Sequence, residues 1–428
     1  MSSVTLPSME AKEGRKASYT LFVLAMVYAL NFMDRQLLVI LQESIKLDLG
    51  FADWQLGLLS GFAFAIFYTL VGVPIARLAD TGNRRNIISI SIAVWSIMTA
   101  VCGAVTTFWH MLLCRIGVGV GEAGCSPPAH SMISDLYPAE RRATALSTYN
   151  VGVYVGVLVG FVAGGVLQDW VGWRWAFVIV GLPGVLVALL VRLTVPEPVR
   201  GFTTGVTDLP PPPLRAVLAL LWQRRSFRHL AVAAGLHAFV GYGAGNWAPS
   251  FFIRTYGIST SELSLWLGPI AAFAGAIGAF GGGYLADRLG HKDVRWNLFL
   301  PAIAIIISVP LSLAVYLVDS FYVSIGIAGL PVLLGATYLG PTLAMTHGLV
   351  GLRMRAVASS ILFLVLNLVG MGIGPWFTGL LSDLLQPSFG ADSLRWALVI
   401  VILVNLWCAV HYFLAAKTLK TDLANAPT

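Results

Sequence analysis

The chain has 428 residues, of which 57% are hydrophobic and only 11% are charged. Ordinary soluble domains carry about 25% charged residues, so this chain has too few polar side chains to cover a globular surface in water. The composition excludes a soluble protein and predicts one that crosses a membrane several times.

Hydropathy, together with breaks at charge clusters and Gly/Pro turns, divides the chain into twelve apolar segments. Each segment is long enough to cross a bilayer core of roughly 30 Å. The predicted fold class is therefore an all-α polytopic membrane protein with twelve transmembrane helices. The predicted spans are 18–45, 54–79, 86–107, 111–136, 142–168, 175–196, 229–254, 263–286, 296–318, 321–349, 357–382 and 396–416.

Lysine and arginine predict the orientation, because short loops rich in these residues stay on the cytoplasmic side. The opposite loops hold only Lys46, Arg174, Arg254 and Arg395. Both termini are predicted to be cytoplasmic in the cell inner membrane, and the net charge of +7 does not indicate nucleic-acid binding. The basic loops hold Arg84, Arg85, Arg141, Arg142, Arg224, Arg225, Arg228, Arg288, Lys292, Arg295, Arg353 and Arg355.

The longest hydrophilic stretch separates two groups of six spans. It contains four consecutive prolines, followed by the apolar and basic segment LRAVLALLWQRRSFR. A proline-rich spacer before such a segment is typical of a helix lying on the cytoplasmic leaflet. The predicted organisation is a tail over 1–17, a six-helix bundle over 18–196, a cytoplasmic linker with an amphipathic helix over 197–228, a second six-helix bundle over 229–416 and a tail over 417–428.

The two groups of spans repeat each other. ARLADTGNRR at 76–85 matches GYLADRLGHK at 283–292, about half the chain later. Matches in the same order at similar offsets predict a duplicated six-span unit and two pseudo-symmetric bundles. Further matches pair RRATA from Arg141 with RMRAVA from Arg353, and RWAF from Arg174 with RWAL from Arg395.

The segment at 283–292 resembles the signature G-x-L-A-D-x-x-G-[RK]-[RK] of the major facilitator superfamily of secondary transporters. The first copy departs from it, with Ala76 for the leading glycine and Thr81 for the basic residue. The resemblance implies alternating access. An aspartate at a helix end beside arginines can join two helices at the cytoplasmic rim; the alternative is that these charges only set topology. The predicted gating residues are Asp80, Arg84, Arg85, Asp287, Arg288, Gly290 and Lys292.

Four charged residues lie deep in predicted spans, and topology does not explain them: Asp34 and Arg35 in the first, Arg115 and Glu122 in the fourth. Tyr28 and Asn31 share the helical face of Asp34 and Arg35. Counting inward at 1.5 Å per residue places the two pairs at similar depth. The alternative is a static buried salt-bridge cluster, but buried ion pairs stabilise poorly and intramembrane carboxylates are usually functional.

Asp34, Arg35, Arg115 and Glu122 are accordingly the predicted proton-coupling residues. RIGVGVGEAG, which begins at Arg115, resembles the fourth-span motif R-x-x-x-G of the superfamily, which implies proton coupling. Its glycines allow another backbone to approach closely. We predict that proton binding to the two carboxylates decides which way the cavity opens.

The second half lacks this charged centre, since Asn246 stands approximately where Asp34 would repeat. Its candidate cavity spans carry aromatic residues instead, although such residues also face lipid or neighbouring helices. A cavity charged on one wall and aromatic on the other suits an amphiphilic small molecule. The predicted substrate-binding residues are Tyr28, Asn31, Glu122, Phe239, Tyr242, Asn246, Trp247 and Tyr338.

A closer resemblance is to the Spinster subfamily. It rests on Y-x-x-N-[FY]-x-D-R from Tyr28 to Arg35 and on G-E-A-x-x-x-P from Gly121 to Pro127. It implies a lysophospholipid or sphingolipid type of substrate. An organic-anion or drug transporter, with Arg35 and Arg115 holding an acid, is the alternative.

A membrane enzyme and a channel are the competing protein classes. We find no H-E-x-x-H, G-x-S-x-G or Walker pattern, and the duplicated signatures favour alternating access over a channel. The expectation is a monomeric, non-enzymatic transporter without a cofactor or metal, whose partners are its substrate, protons and the bilayer.

Overall fold

The computed structural model describes residues 7–200 and 213–427, and these ranges contain seventeen α-helices and no strand. The helices are α1 (Pro7–Leu49), α2 (Asp53–Gly57), α3 (Ala63–Thr81), α4 (Arg84–Cys102), α5 (Phe108–Ala123), α6 (Ser126–Leu136), α7 (Ala139–Thr194), α8 (Leu214–Gln223), α9 (Arg225–Tyr256), α10 (Thr260–Pro269), α11 (Gly275–Gly290), α12 (Trp296–Leu317), α13 (Phe321–Gly335), α14 (Leu339–Gly348), α15 (Arg355–Val365), α16 (Gly374–Phe389) and α17 (Ser393–Ala424).

The chain is an all-helical, multi-pass membrane protein, as predicted. Each predicted span coincides with a helical segment. Eight continuous stretches within the described residues are long and apolar enough to cross a membrane, and two of them, Glu140–Thr194 and Leu352–Ala424, each extend over two predicted spans. The count of twelve spans stays a prediction.

Helix α7 contains a break at Gly172, where the backbone has φ 81° and ψ 163°. Glycine adopts this conformation readily because it has no Cβ atom. The break falls in the predicted loop between the fifth and sixth spans, so α7 consists of two helices that continue into each other.

Short π-helical turns interrupt three of the described apolar helices. Leu58–Phe62 joins α2 to α3, Ile270–Ala274 joins α10 to α11, and Leu366–Ile373 joins α15 to α16. Such turns are rare and often accompany functional regions. The first two lie in the second span of each half, so the repeat extends to this local irregularity.

Contacts divide the chain into two units. The first comprises Met1–Leu38 and Phe67–Asp208, and the second comprises Val39–Ile66 and Leu209–Thr428. Residues 39–66, which the predicted organisation assigns to the first bundle, thus pack within the second unit in this structure. The predicted domain boundaries themselves stay predictions.

Glycines bring pairs of helices close together in the first unit. A Cβ atom added at Gly156 of α7 would lie 2.2 Å from the carbonyl oxygen of Ala29 in α1. One added at Gly121 of α5 would lie 2.7 Å from the backbone nitrogen of Trp95 in α4. These close approaches hold α1, α4 and α5 in the positions that the charged residues require.

Helix α8 lies within the predicted linker, of which residues 201–212 fall outside the described ranges, as do residues 1–6 of the predicted tail. Val217 and Leu221 are buried in an apolar cluster of the second unit that also includes Leu362 of α15. Trp222 on the same helix is 73% exposed. The helix is therefore attached to the second unit along one apolar edge.

Candidate functional site

The structure brings together the four charged residues that the sequence places deep in the first and fourth spans. Helix α1 supplies Asp34 and Arg35, and α5 supplies Arg115 and Glu122. Asp34, Arg115 and Glu122 retain at most 3% of their surface. We refer to these four residues as the charged cluster.

Hydrogen bonds join members of the charged cluster to each other and to uncharged neighbours. Arg35 Nε donates to Glu122 Oε2 over 2.8 Å, and the Asn31 side chain also hydrogen-bonds to Glu122. Thr99 of α4 donates its hydroxyl to Asp34 Oδ2. The polar face predicted for α1 therefore points at α4 and α5.

The two carboxylates lie close enough for their charges to repel each other, and both arginines lie close enough to attract them. Two carboxyl groups thus face two guanidinium groups in a buried region. Adding one proton to Asp34 or Glu122 leaves a surplus positive charge, which favours a different arrangement of the arginines. Protons at such neighbouring sites bind in a coupled way.

Aromatic rings line the charged cluster within the first unit. The Arg35 guanidinium lies 4.9 Å from the ring centre of Phe32 and 5.2 Å from that of Tyr68. Tyr28 stacks on the buried Tyr149, with 4.3 Å between ring centres. Sequence reasoning missed Tyr68, Tyr149 and Thr99. The only signal for Thr99 was a hydroxyl in an apolar span that needs a hydrogen-bond partner.

In the second unit, two of the predicted substrate-binding residues serve packing in this structure. Trp247 is completely buried, and its indole N–H donates to the carbonyl oxygen of Pro375 over 2.8 Å. Phe239 is 9% exposed and packs against Phe377, with 5.6 Å between ring centres. Because both rings fill the interior of the unit, they present little surface to a ligand here.

The other predicted residues of the second unit retain surface. Tyr242 is 37% exposed. Tyr338 is half-buried and meets the His237 ring edge-on at 4.6 Å. Asn246 is half-buried, and its carbonyl oxygen accepts a hydrogen bond from Gln42 Nε2 over 3.0 Å.

The first signature loop forms a buried network centred on Arg84, which we call the Arg84 network. Arg84 is completely buried; its guanidinium donates to Asp135 over 2.5 Å, to Glu197 over 2.8 Å and to Ser131 over 2.9 Å. Asn83 caps α4 by accepting from the backbone N–H of Asn86. Arg84 therefore joins the start of α4 to the end of α6 and to the segment after α7.

The aspartate of this loop takes a different position from the one predicted. Asp80 is exposed, and its main-chain carbonyl accepts a hydrogen bond from Arg200. Arg85 is half-buried, and its backbone N–H donates to Glu197 over 2.9 Å. The sequence signal that was overlooked is VPEPVR after the sixth span, which supplies Glu197 and Arg200.

The second signature loop is more exposed. Asp287, Arg288 and Lys292 all lie at the surface of the second unit, and Arg288 approaches the Tyr284 hydroxyl at 3.5 Å. A Cβ atom added at Gly290 would lie 2.9 Å from the Asn297 side-chain nitrogen, so glycine permits this close approach. The two copies of the signature thus differ in burial.

A second ionic site, which the sequence did not reveal, lies in the second unit. Arg254 of α9 pairs with both oxygens of Asp53 at 2.8 Å and with Glu43 at 2.8 Å, and Lys46 pairs with Asp53 at 2.5 Å. Asp383 of α16 accepts from the backbone N–H groups of Asp53 and Trp54 at the start of α2. We call these residues the Asp53 network.

The Asp53 network fastens the end of α1 and the start of α2 to α9 and α16. Asp53 also accepts a hydrogen bond from Ser382 over 2.7 Å. Because paired guanidinium and carboxylate groups give short, directional hydrogen bonds, this attachment is specific as well as strong. Lys46 and Arg254 were visible in the sequence only as exceptions to the loop charge pattern.

Sequence comparisons match this chain to a family of membrane transporters. The Major Facilitator Superfamily family model matches residues 24–368. An MFS-type efflux pump of Mycolicibacterium smegmatis is 32% identical over 416 residues, which make up 96% of this chain and 95% of the pump. Human protein spinster homolog 1 is 28% identical over 435 residues, covering 94% of this chain and 81% of the human protein.

Two solved structures of a bacterial transporter are similar to this chain over nearly its whole length. A bacterial homologue of the human lysosomal transporter Spinster, in an inward-facing and occupied conformation, matches with a TM-score of 0.84 at 33% identity, over 95% of this chain and 98% of the homologue. The inward-facing, unoccupied conformation matches with a TM-score of 0.88 at 33% identity and the same coverage. The resemblance predicted from the first and fourth spans is confirmed: this chain belongs to the major facilitator superfamily, as a transporter of the Spinster type.

Proposed function

We propose that this transporter is proton-coupled, works by alternating access, and moves an amphiphilic, lipid-like substrate of the lysophospholipid or sphingolipid type. The observation that carries the proposal is the burial of Asp34 and Glu122 beside Arg35 and Arg115. Charged side chains inside a membrane are energetically costly, and those that a protein retains there usually serve its function. We further propose that the protein acts as a monomer in the inner membrane, with both termini cytoplasmic.

In the proposed cycle, proton binding to Glu122 weakens the attraction that holds Arg35 against it, and proton binding to Asp34 removes a negative charge that attracts Arg35 and Arg115. The guanidinium released from Glu122 still lies over the rings of Phe32 and Tyr68. Because a cation over an aromatic ring is held less tightly than in an ion pair, α1 gains freedom to move relative to α5. Deprotonation restores the ion pair.

The gating role rests on the ionic sites at the helix ends. The signature residues Asp80, Arg84, Arg85, Asp287, Arg288, Gly290 and Lys292 are proposed to control opening at the cytoplasmic side. The buried Arg84 network supports this role for the first copy. The exposed second copy offers charges that are free to take new partners during the cycle.

The proposed substrate class rests on chemistry and on relatives. Tyr28, Asn31 and Glu122 supply polar groups beside aromatic rings in the first unit, while Tyr242, Asn246 and Tyr338 supply further polar and aromatic surface in the second. The lipid-like cargo is what the resemblance to the Spinster subfamily implies, and this chain is 28% identical to human protein spinster homolog 1. In this proposal, Phe239 and Trp247 support the site through packing in the described conformation.

A drug or organic-anion transporter is the second candidate, and one observation favours it. The relative from Mycolicibacterium smegmatis is an MFS-type efflux pump, and it is 32% identical over nearly the whole chain. Under this alternative, Arg35 and Arg115 hold an acidic substrate.

Proteoliposomes with an imposed pH gradient test proton coupling. We expect Asp34→Asn and Glu122→Gln each to abolish gradient-driven transport while facilitated exchange at equal pH persists. Asp319→Asn, outside the helices, is the control and should transport as the wild type does. If both variants keep full gradient-driven transport, proton coupling through this cluster is wrong.

A competition panel separates the two substrate classes. Lysolipids should displace the transported tracer from wild-type protein, whereas small carboxylates should not. Displacement by small carboxylates alone would favour the organic-anion alternative.

A further inference from the structure

A small cavity lies behind the charged cluster in the first unit. Its volume is about 10 Å³, which is room for a single water molecule. Asp34 of α1, Ser96 of α4 and Gly184 of α7 contribute to its lining. The cavity therefore lies between three helices and reaches the carboxyl group that the proposed function depends on.

Two buried polar atoms at this cavity have no hydrogen-bond partner within the part of the chain that the structure describes: Asp34 Oδ1 and Ser96 Oγ. The other oxygen of Asp34, Oδ2, accepts from Thr99. Leaving a buried carboxylate oxygen and a buried hydroxyl unpaired is unfavourable, and native proteins usually resolve it with an ordered water.

We propose that one ordered water molecule binds in this cavity between Asp34 Oδ1 and the Ser96 hydroxyl. When Asp34 is charged, the water donates a hydrogen bond to Oδ1 and accepts one from Ser96. When Asp34 carries a proton, the water accepts from the carboxyl group and donates to Ser96. Ser96 is then a positioning residue, because it acts on Asp34 through the water.

Glycines of α7 make room for this arrangement. A Cβ atom at Gly184 would lie 2.0 Å from Ser96 Oγ, and one at Gly181 would lie 2.9 Å from the Ser96 carbonyl oxygen. A larger residue at either position would push Ser96 away from its place. In this proposal, Gly181 and Gly184 leave space for Ser96 at the cavity as well as allowing α4 and α7 to pack closely.

The charged and titratable groups that face Asp34 come from every helix around it except α7. Arg35 lies on its own helix, Cys102 lies on α4, and Arg115 and Glu122 lie on α5. The lining residues from α7, Val180, Gly181 and Gly184, carry no titratable group. The water is therefore the polar contact of Asp34 on the α7 side.

This inference rests on the proposed proton coupling and defines how Asp34 responds to pH. The water favours the charged carboxylate by donating to it, and Ser96→Ala removes one of the partners that hold the water. We expect the pH midpoint of transport in Ser96→Ala to rise by roughly one unit, because losing a hydrogen bond to a charged group favours the protonated form.

The matched control is Ser89→Ala. Ser89 lies two turns from Ser96 on the same face of α4, is also buried, and donates to the Ala188 carbonyl of α7 over 2.8 Å. Ser89→Ala should destabilise the protein about as much as Ser96→Ala does, but the pH midpoint of its transport should stay unchanged. An equal shift in both variants would overturn the positioning role.

A structure of the purified full chain, at a resolution that reveals ordered water, tests the site directly. Density within about 3.2 Å of both Asp34 Oδ1 and Ser96 Oγ is expected in the wild type and not in Ser96→Val, which fills the cavity. A dry wild-type cavity would overturn the inference. This result does not depend on transport, so it is distinguishable from failure of proton coupling in Asp34→Asn.

Discussion

Arg84 differs from the other arginines of the signature loops in its complete burial and in its many partners. Its guanidinium donates to Asp135, Ser131, Glu197 and the Pro198 carbonyl. A planar group with five N–H donors can satisfy such a set, whereas the lysine ammonium cannot reach all of its members from one position. Arginine thus suits position 84 through the shape of its guanidinium group as well as through its charge.

We predict that Arg84→Lys lowers the free energy of unfolding by about 1–3 kcal/mol, since buried acceptors lose their donors. The midpoint of thermal unfolding in detergent measures this effect. Arg85→Lys is the control, because among the described residues the Arg85 guanidinium makes only long contacts of 3.4 and 3.5 Å. Equal stability of the two variants would contradict the structural role of Arg84.

At the scale of single residues, the sequence was informative where charge conflicts with the membrane. Asp34, Arg35, Arg115 and Glu122 stand out because ionisable groups are rare in apolar spans, and their helical phase and depth were enough to place them together. Asp53 did not stand out, since a carboxylate at a predicted loop needs no explanation. Its partners come from distant segments, which no local pattern identifies.

At the scale of helices, close packing depends on rows of glycines. Gly152, Gly156 and Gly160 of α7 each approach the backbone or Cβ atoms of α1 so closely that an added Cβ would collide. Without a hydrophobic driving force between helices in lipid, such small-residue contacts supply much of the association. The α1 face that carries Asp34 is positioned partly by this contact.

We predict that Gly156→Ala destabilises the protein by about 1–3 kcal/mol, because its Cβ would lie 2.2 Å from the Ala29 carbonyl oxygen. Thermal unfolding in detergent checks this prediction. Gly72→Ala in α3 is the control, since nothing lies within 4 Å of an added Cβ there. If Gly156→Ala is as stable as the control, α1 and α7 adjust more easily than the packing indicates.

The Asp53 network gives the second prediction at this scale. In Asp53→Asn, Lys46 and Arg254 lose a charged partner, so the end of α1 and the start of α2 should separate more often from α9 and α16. Spin labels at the exposed positions Leu47 and Leu384 report this separation, and the four native cysteines are buried. We expect a broader distance distribution in Asp53→Asn than in the wild type.

Asp392→Asn serves as the control for that experiment. Asp392 is 53% exposed in its pair with Arg395, and exposed pairs of this kind contribute little. In Asp392→Asn, the distribution of distances between the two spin labels should match that of the wild type. Unchanged distributions in both variants would show that the Asp53 network does not limit the motion of these helices.

Helix positions were largely predictable, whereas their irregularities were not. Apolar length sets the spans, so each predicted span coincides with a helix. The π-helical turns at Leu58–Phe62, Ile270–Ala274 and Leu366–Ile373 depend on tertiary packing around small residues, and hydropathy contains no signal for them. The membership of residues 39–66 in the second unit likewise follows from long-range contacts, which include the ion pairs of Asp53 and the close packing of Gly57 against Pro375.

At the scale of the whole molecule, charge is distributed according to two different rules. Most basic residues lie in alternate loops, and the predicted orientation of the chain rests on them. Arg35 of the charged cluster and Lys46 and Arg254 of the Asp53 network lie outside the basic loops, and each pairs with a carboxylate. Arg84 and Arg295 follow both rules, since they lie in basic loops and also pair with carboxylates.

The topological rule predicts that both termini are cytoplasmic. Fused after Thr428, a fluorescent protein that folds only in the cytoplasm should be bright, and alkaline phosphatase, which is active only outside it, should be inactive. The same reporters fused after Gly257, between α9 and α10, should give the opposite result, because the preceding helix begins with Arg225 and Arg228 and these residues stay inside. The second fusion shows that each reporter works in this protein. Active phosphatase at the C-terminus would contradict the predicted orientation and would indicate that the Arg84 network lies on the outer side.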